Sequence, residues 1–240
     1  MIGVAVRAVA FAALAAFATR TLTKHHQPDG DSGRYRISLR APAQDVKLAQ
    51  MKMSSLPWPH PNPAQSQLRL VEVPGTVLHA LAEGQIEGAY SHLVTPYLAG
   101  RECIGLWRMR SKQIANAPAD AHWVTRFVVV PGIDAPVGLA GFHGPSDEAG
   151  MVEVGYRIDP EHRRRGYARQ ALETRLAVAR ANADVRVIPA TISPDNHASR
   201  SLVESLGFAE VGEQWDDEDG LEIILEVSAN ESELPTISVR

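Results

Sequence analysis

A chain of 240 residues, 45% apolar and 22% charged, is long enough for one typical domain with extensions. Its 28 acidic and 24 basic residues leave a formal net charge of −4, which excludes the strongly basic footprint usual in nucleic-acid-binding domains. The lone cysteine, Cys103, excludes an internal disulfide and suits a reducing compartment. No cysteine–histidine cluster has zinc-ligand spacing, so no metal is expected.

Residues 1–28 hold no acid, and Val9 to Ala18 is wholly apolar between Arg7 and Arg20. That run is too short for the ~20 residues of a membrane-spanning helix. Three readings stand open: a mitochondrial presequence, a signal-peptide core, or sequence upstream of a start at Met51 or Met53. The first makes a mitochondrial location the alternative to a cytoplasmic one. Residues 29–66 follow as a proline-rich linker, with alternating prolines from Pro57 to Pro63 excluding helix and Trp58 as a contact to the domain.

The folded domain is expected over 67–228, with a tail after it. Leu68 to Val73 reads as a strand covered on both faces, because Leu68 and Leu70 alternate with Val71 and Val73. Thr76 is the expected N-cap of a helix through Ala82. Further helix is expected over 87–114, interrupted at Pro96 and Gly100, and strands over Trp123–Val130, Val137–Phe142 and Met151–Ile158. A helix over Gly166–Asn182 carries an apolar stripe of Ala168, Leu172, Leu176 and Ala179. A strand at Val185–Ile192, a helix at Asn196–Ser205 and strands at Phe208–Glu213 and Leu221–Val227 complete the pattern of a mixed sheet covered by helices. Pro189 inside the fifth strand marks a place where neighbouring strands part, since proline donates no ladder bond.

The most informative stretch joins the fourth strand to the next helix: Glu161-His162-Arg163-Arg164-Arg165-Gly166-Tyr167-Ala168. A glycine turn at a helix start aims free backbone N–H groups and the positive end of the helix dipole at one point, where a pyrophosphate fits. Arg163, Arg164 and Arg165 add charge beside it.

Arg163 to Ala168 resembles the acyl-CoA pyrophosphate loop of the GNAT superfamily of N-acetyltransferases. One helix and one strand later, Asn196-His197-Ala198-Ser199 leading into Leu206-Gly207-Phe208 is similar to a block of the subgroup that includes ribosomal-protein N-terminal acetyltransferases. The resemblance spans roughly residues 67–228. It implies an α/β (α+β) fold with a mixed central sheet of about seven strands flanked by helices, the fourth and fifth splayed. It further implies acetyl-CoA as co-substrate, with no metal, and an amine acceptor. Acetyl transfer by direct attack in a ternary complex is then expected of a monomer or homodimer.

The same resemblance assigns residues. Arg163, Arg164, Arg165, Gly166, Tyr167 and Ala168 would hold the pyrophosphate. The backbone at Tyr156, Arg157 and Ile158 would pair with the pantetheine amides as an added strand, and Asn196 would reach the same arm while capping its helix. Glu153 stands where relatives often place a general base, and Ser199 where similar enzymes place a group near the sulfur. Each has a plainer reading: Glu153 as the ion-pair partner of Arg157 on one strand face, Ser199 as a helix serine bonding back to a carbonyl. Two positions depart from the pattern. Val203 stands where many relatives have a tyrosine acid, and Gln170 where a glutamate is usual.

The acceptor pocket is expected to draw on 87–125, including Tyr90, Trp107, His122 and Trp123, aromatics that serve equally as core. The acidic run Asp216 to Asp219 reads as a solvated turn or an attractor of cations. A non-catalytic acyl-CoA sensor is the alternative to an enzyme.

Overall fold

Each short β-branched run of the sequence becomes a strand in the computed structural model, which describes residues 56–85, 94–216 and 220–230. All of them lie within one unit, Met51–Arg240. The leader, Tyr90, residues 217–219 of the acidic run and the tail from 231 lie outside the described residues.

The first sheet runs in the order β1 (Trp58–Pro59), β2 (Arg69–Glu72), β3 (Arg126–Val129), β4 (Gly138–Phe142) and β5 (Val154–Ile158), antiparallel throughout. The second, also antiparallel, is ordered β6 (Val187–Ile192), β8 (Gly220–Ser228), β7 (Ala209–Asp216). β5 and β6 are thus facing sheet edges. Among the described residues they join only at one end, through the parallel bridge Met151–Val187, where Val152 N–H donates to Val187 O at 3.1 Å. This is the splay expected of the fourth and fifth strands. Pro189 lies in β6, an edge strand of its sheet, where a missing N–H forfeits little.

Helices α1 (Gly75–Glu83), α2 (Pro96–Ala99) and α3 (Arg101–Asn116) lie between β2 and β3 in the chain. The N-cap of α1 is Pro74 rather than Thr76, with no side-chain cap; proline at that position has its φ preset and sacrifices no needed donor. Thr95 caps α2 by accepting from Leu98 N–H at 3.2 Å. Helix α4 (Tyr167–Arg180) packs across the first sheet with Leu172, Leu176 and Ala179 of the expected stripe buried, and with Ala171 in place of Ala168, which is half-buried and lines a cleft. Each buried leucine of that stripe contributes about 1.5–3 kcal/mol of apolar burial. Helix α5 (His197–Glu204) seals the second sheet with Val203, which lies fully buried near Phe208.

The stretch 56–66, read from sequence as linker, has structure of its own. Trp58 pairs with Leu70 in β2, and its ring lies 3.7 Å from the Arg126 guanidinium carbon. His60 Nε2 meets Glu173 on α4 at 2.9 Å, and Ser66 Oγ donates to Gln170 Oε1 at 2.7 Å. Gln170, the departure from the family pattern, is therefore a tie between α4 and this strap.

Candidate active site

The turn before α4 has the geometry its residues predict. Gly166 is the N-cap at φ 82° with no side-chain cap, leaving first-turn N–H groups to an incoming anion. Arg164 is left-handed too, at φ 57°, a conformation that costs a residue with a Cβ roughly 1 kcal/mol or more. Arg163 folds back, its Nε donating to Ile158 O at 3.0 Å, and so fastens the turn to the end of β5.

A cleft of about 670 Å³ opens above this turn. It is lined by Tyr156, Arg157 and Ile158 from β5, by Arg163, Arg164, Gly166, Tyr167 and Ala168 from the turn and α4, and by Asn196 and Ser199 from α5. Ten of the twelve residues singled out from sequence are thus brought together; Arg165 and Glu153 do not line it. Asn196 caps α5, its Oδ1 accepting from Ser199 N–H at 3.2 Å. The Ser199 hydroxyl faces the Tyr156 phenol, short of full hydrogen-bond geometry, and the phenol oxygen is buried with no hydrogen bond among the described residues. Burial pushes the phenol pKa up, against the opposing influence of Ser199 and Arg175.

A second cleft of about 650 Å³ lies on the other side of the strand gap. It shares Tyr156, Arg157, Asn196 and Ser199 with the first, so the two clefts meet at those residues. Its other walls come from α3 (Arg101, Met109, Arg110), β6 (Thr191) and β8 (Glu222), and from His143 just after β4. The aromatics expected to line an acceptor pocket are placed elsewhere. Trp107 is fully buried in the core, its Nε1 donating to Leu98 O at 2.7 Å. His122 and Trp123 line neither cleft, and Trp123 packs on Phe142 with ring centroids 5.7 Å apart. Tyr90 lies outside the described residues.

Glu153 directly precedes β5, but its partner is not Arg157, which donates to Glu102 O instead. The two carboxylate oxygens of Glu153 are taken by the Thr191 hydroxyl at 2.5 Å and His143 Nδ1 at 3.0 Å. Burial, the largest influence, pushes the carboxyl pKa up, yet His143, Thr191 and Arg110 together hold it below the usual value. His143 and Thr191 were invisible as site residues in sequence, because only strand register brings them to Glu153. Gly155, one pleat from Glu153, was the available signal: a Cβ there would lie 2.8 Å from His143 Nε2, so a larger residue would push the imidazole from this position.

Beneath the site, Arg175 of α4 is fully buried and donates to Gly141 O and, at 2.6 Å, to Gly155 O. Those two glycines are register partners in β4 and β5. Burial lowers the pKa of Arg175 to about 9. Among the described residues no group of three or more histidine, cysteine or acidic side chains is placed to hold a metal, and no helix is long and apolar enough to cross a membrane.

The family profile of the acetyltransferase (GNAT) domain matches residues 89–209, half of the chain. The chain belongs to the GNAT acetyltransferase family. The relative YjdG of Bacillus subtilis (strain 168), an uncharacterized N-acetyltransferase, is 39% identical over 72 residues, 30% of this chain and 43% of that protein. Another, p20 of Bacillus licheniformis, is 28% identical over 85 residues, covering 35% of this chain and 48% of the relative. The matches thus span less than half the length of these curated relatives.

Solved GNAT structures share the fold. A spermidine N-acetyltransferase SpeG chimera from Vibrio cholerae and hSSAT superposes with a TM-score of 0.51 at 18% identity, over 68% of this chain and 96% of that one. RimJ of Mycobacterium smegmatis, in complex with CoA-disulfide, superposes with a TM-score of 0.50 at 18% identity, over 75% of this chain and 88% of its own.

Proposed function

We propose that this GNAT protein is an N-acetyltransferase that moves the acetyl group of acetyl-CoA to a primary amine of a small molecule or protein N-terminus, by direct attack in a ternary complex. The observation that carries this reading is the meeting of two clefts at Tyr156, Arg157, Asn196 and Ser199, in the gap between β5 and β6. A donor reaching in from the turn at Gly166 and an acceptor entering from the opposite cleft come together there. RimJ of Mycobacterium smegmatis holds CoA-disulfide on the same fold, which supports a CoA site in the first cleft.

In this reading the first-turn N–H groups of α4, with Arg163 and Arg164 in the cleft wall, hold the pyrophosphate, and Arg165 adds charge beside them. The open edge of β5 at Tyr156–Ile158 pairs with the pantetheine amides, and Asn196 reaches the same arm. The acceptor enters as an ammonium and must lose a proton before it attacks; that proton leaves toward the pair that Glu153 forms with His143, whose ring lines the second cleft. The nitrogen then bonds to the thioester carbon, the C–S bond breaks, and Ser199 gives its hydroxyl proton to the departing thiolate while taking one from the new amide nitrogen. With Val203 buried where many relatives have a tyrosine, Ser199 supplies a hydroxyl on α5 that meets both clefts. A lone buried cysteine suits a cytoplasmic protein.

The test is turnover of acetyl-CoA against a panel of amines and N-terminal peptides, read as free thiol release. Thiol release with at least one acceptor is expected. Silence across the panel while acetyl-CoA still raises the melting temperature would convert the reading to a sensor. No thermal shift at saturating acetyl-CoA would remove the cofactor assignment as well.

A further inference from the structure

Glu153 is poorly placed to take a proton from an acceptor itself. Its side chain is 27% exposed, both oxygens are engaged, and it does not line the second cleft. The imidazole in front of it is 47% exposed and does line that cleft. With Nδ1 directed at the carboxylate, the ring's other nitrogen is the one left for a ligand. Glycine at position 155 gives Nε2 its place over β5, at the level where the two facing edges part. The arrangement is a base held by a carboxylate that is itself held by a hydroxyl, the pattern by which an orienting group fixes tautomer and ring angle.

We propose that His143 Nε2 accepts the proton of the acceptor ammonium, and that Glu153 and Thr191 are positioning residues behind it. The inference rests on the acetyltransferase reading above. Nδ1–H donates to Glu153 Oε2, so the neutral ring carries its lone pair on Nε2. That lone pair takes one proton from the ammonium, giving imidazolium beside the Glu153 carboxylate and a neutral amine with its own lone pair free. The amine's second proton leaves through Ser199 to the thiolate, and the imidazolium returns its proton to solvent after product leaves.

The surroundings of the ring are fixed by every element packed against it. From α3, Arg110 Nη1 donates to the His143 carbonyl at 2.9 Å, and Gln113 does so at 3.0 Å while also holding Asp120. Glu153 precedes β5, Arg157 lies on it, and Glu222 faces the same cleft from β8. The backbone at His143 is therefore clamped, and the ring's freedom is limited to its own torsions.

His143→Asn tests the proposal, because the amide keeps a donor near Glu153 and removes the basic nitrogen. At pH 7 its kcat/KM is expected to fall by about 10²–10⁴-fold, the usual worth of a positioned base. Acetyl-CoA affinity by calorimetry should stay at the wild-type value. The acidic limb of the wild-type pH–rate profile should disappear, and added imidazole should restore part of the rate. Nitrogen NMR of the wild type should show the His143 ring protonated on Nδ1, with that preference lost in Glu153→Gln. A His143→Asn protein with wild-type rate and pH profile would overturn the proposal alone, as would a ring protonated on Nε2. Wild type that binds acetyl-CoA but acetylates nothing would instead overturn the activity beneath it.

Discussion

Glu153 shows how a residue's surroundings reverse the expectation from its type. Burial alone would raise the pKa of this carboxyl, yet the Thr191 hydroxyl, the His143 ring and Arg110 bring it below its ordinary value of about 4.3. The folded protein therefore favours the ionised form relative to the unfolded chain. That stabilisation is fully present above the unfolded pKa and is lost as pH falls through the lower folded value. Thermal melting of the wild type should weaken on acidification across this range, and Glu153→Gln should lack that part of the pH dependence. Its acetyl-transfer rate at neutral pH should also fall, with acetyl-CoA affinity intact. A variant with the wild-type acid profile would mean that the carboxylate is not the group whose ionisation the fold stabilises.

At the scale of elements, the turn before α4 is the part that sequence spells out most directly. A glycine, a basic run and a helix start are adjacent in the chain, so local rules suffice to place them. Gly166→Glu puts a side chain at a left-handed position and a negative charge at the helix start. Acetyl-CoA affinity should drop at least about tenfold, ~1.4 kcal/mol, with the fold retained by far-ultraviolet circular dichroism; unchanged affinity in calorimetry would dismiss the turn as the phosphate site. Strands and helices with clear periodicity were legible for the same local reason, within a few residues at each end. The pairing of His143 with Glu153 was not, because it depends on the register that sets Gly141 against Gly155. Nor was β1, whose two residues sit among prolines and become a strand only because β2 offers an edge and Arg126 a cation beneath the Trp58 ring. Trp107 was ambiguous by composition, and its burial against Leu98 is decided by how α2 meets α3.

For the molecule as a whole, two antiparallel sheets are connected through one end of a gap, and α4 and α5 contribute their starts to the cleft along it. Exposed strand edges are ordinarily a hazard that proteins cover or charge. Here the two edges are turned toward each other, and among the described residues they pair only at the Met151–Val187 end. Along the gap neither edge has a strand partner among the described residues, and in the proposed reading the pantetheine amides supply one. Occupation of the gap should therefore be visible in amide exchange with deuterated solvent. Residues 154–158 are expected to exchange more slowly once CoA is added, while β3, between two partner strands, should not change. Equal exchange at β5 with and without CoA would mean that the gap is not where the pantetheine arm lies. If the pantetheine arm lies there, the sheet left incomplete by the protein is completed by its substrate, and part of the cohesion of the domain is supplied from outside and withdrawn each time product departs.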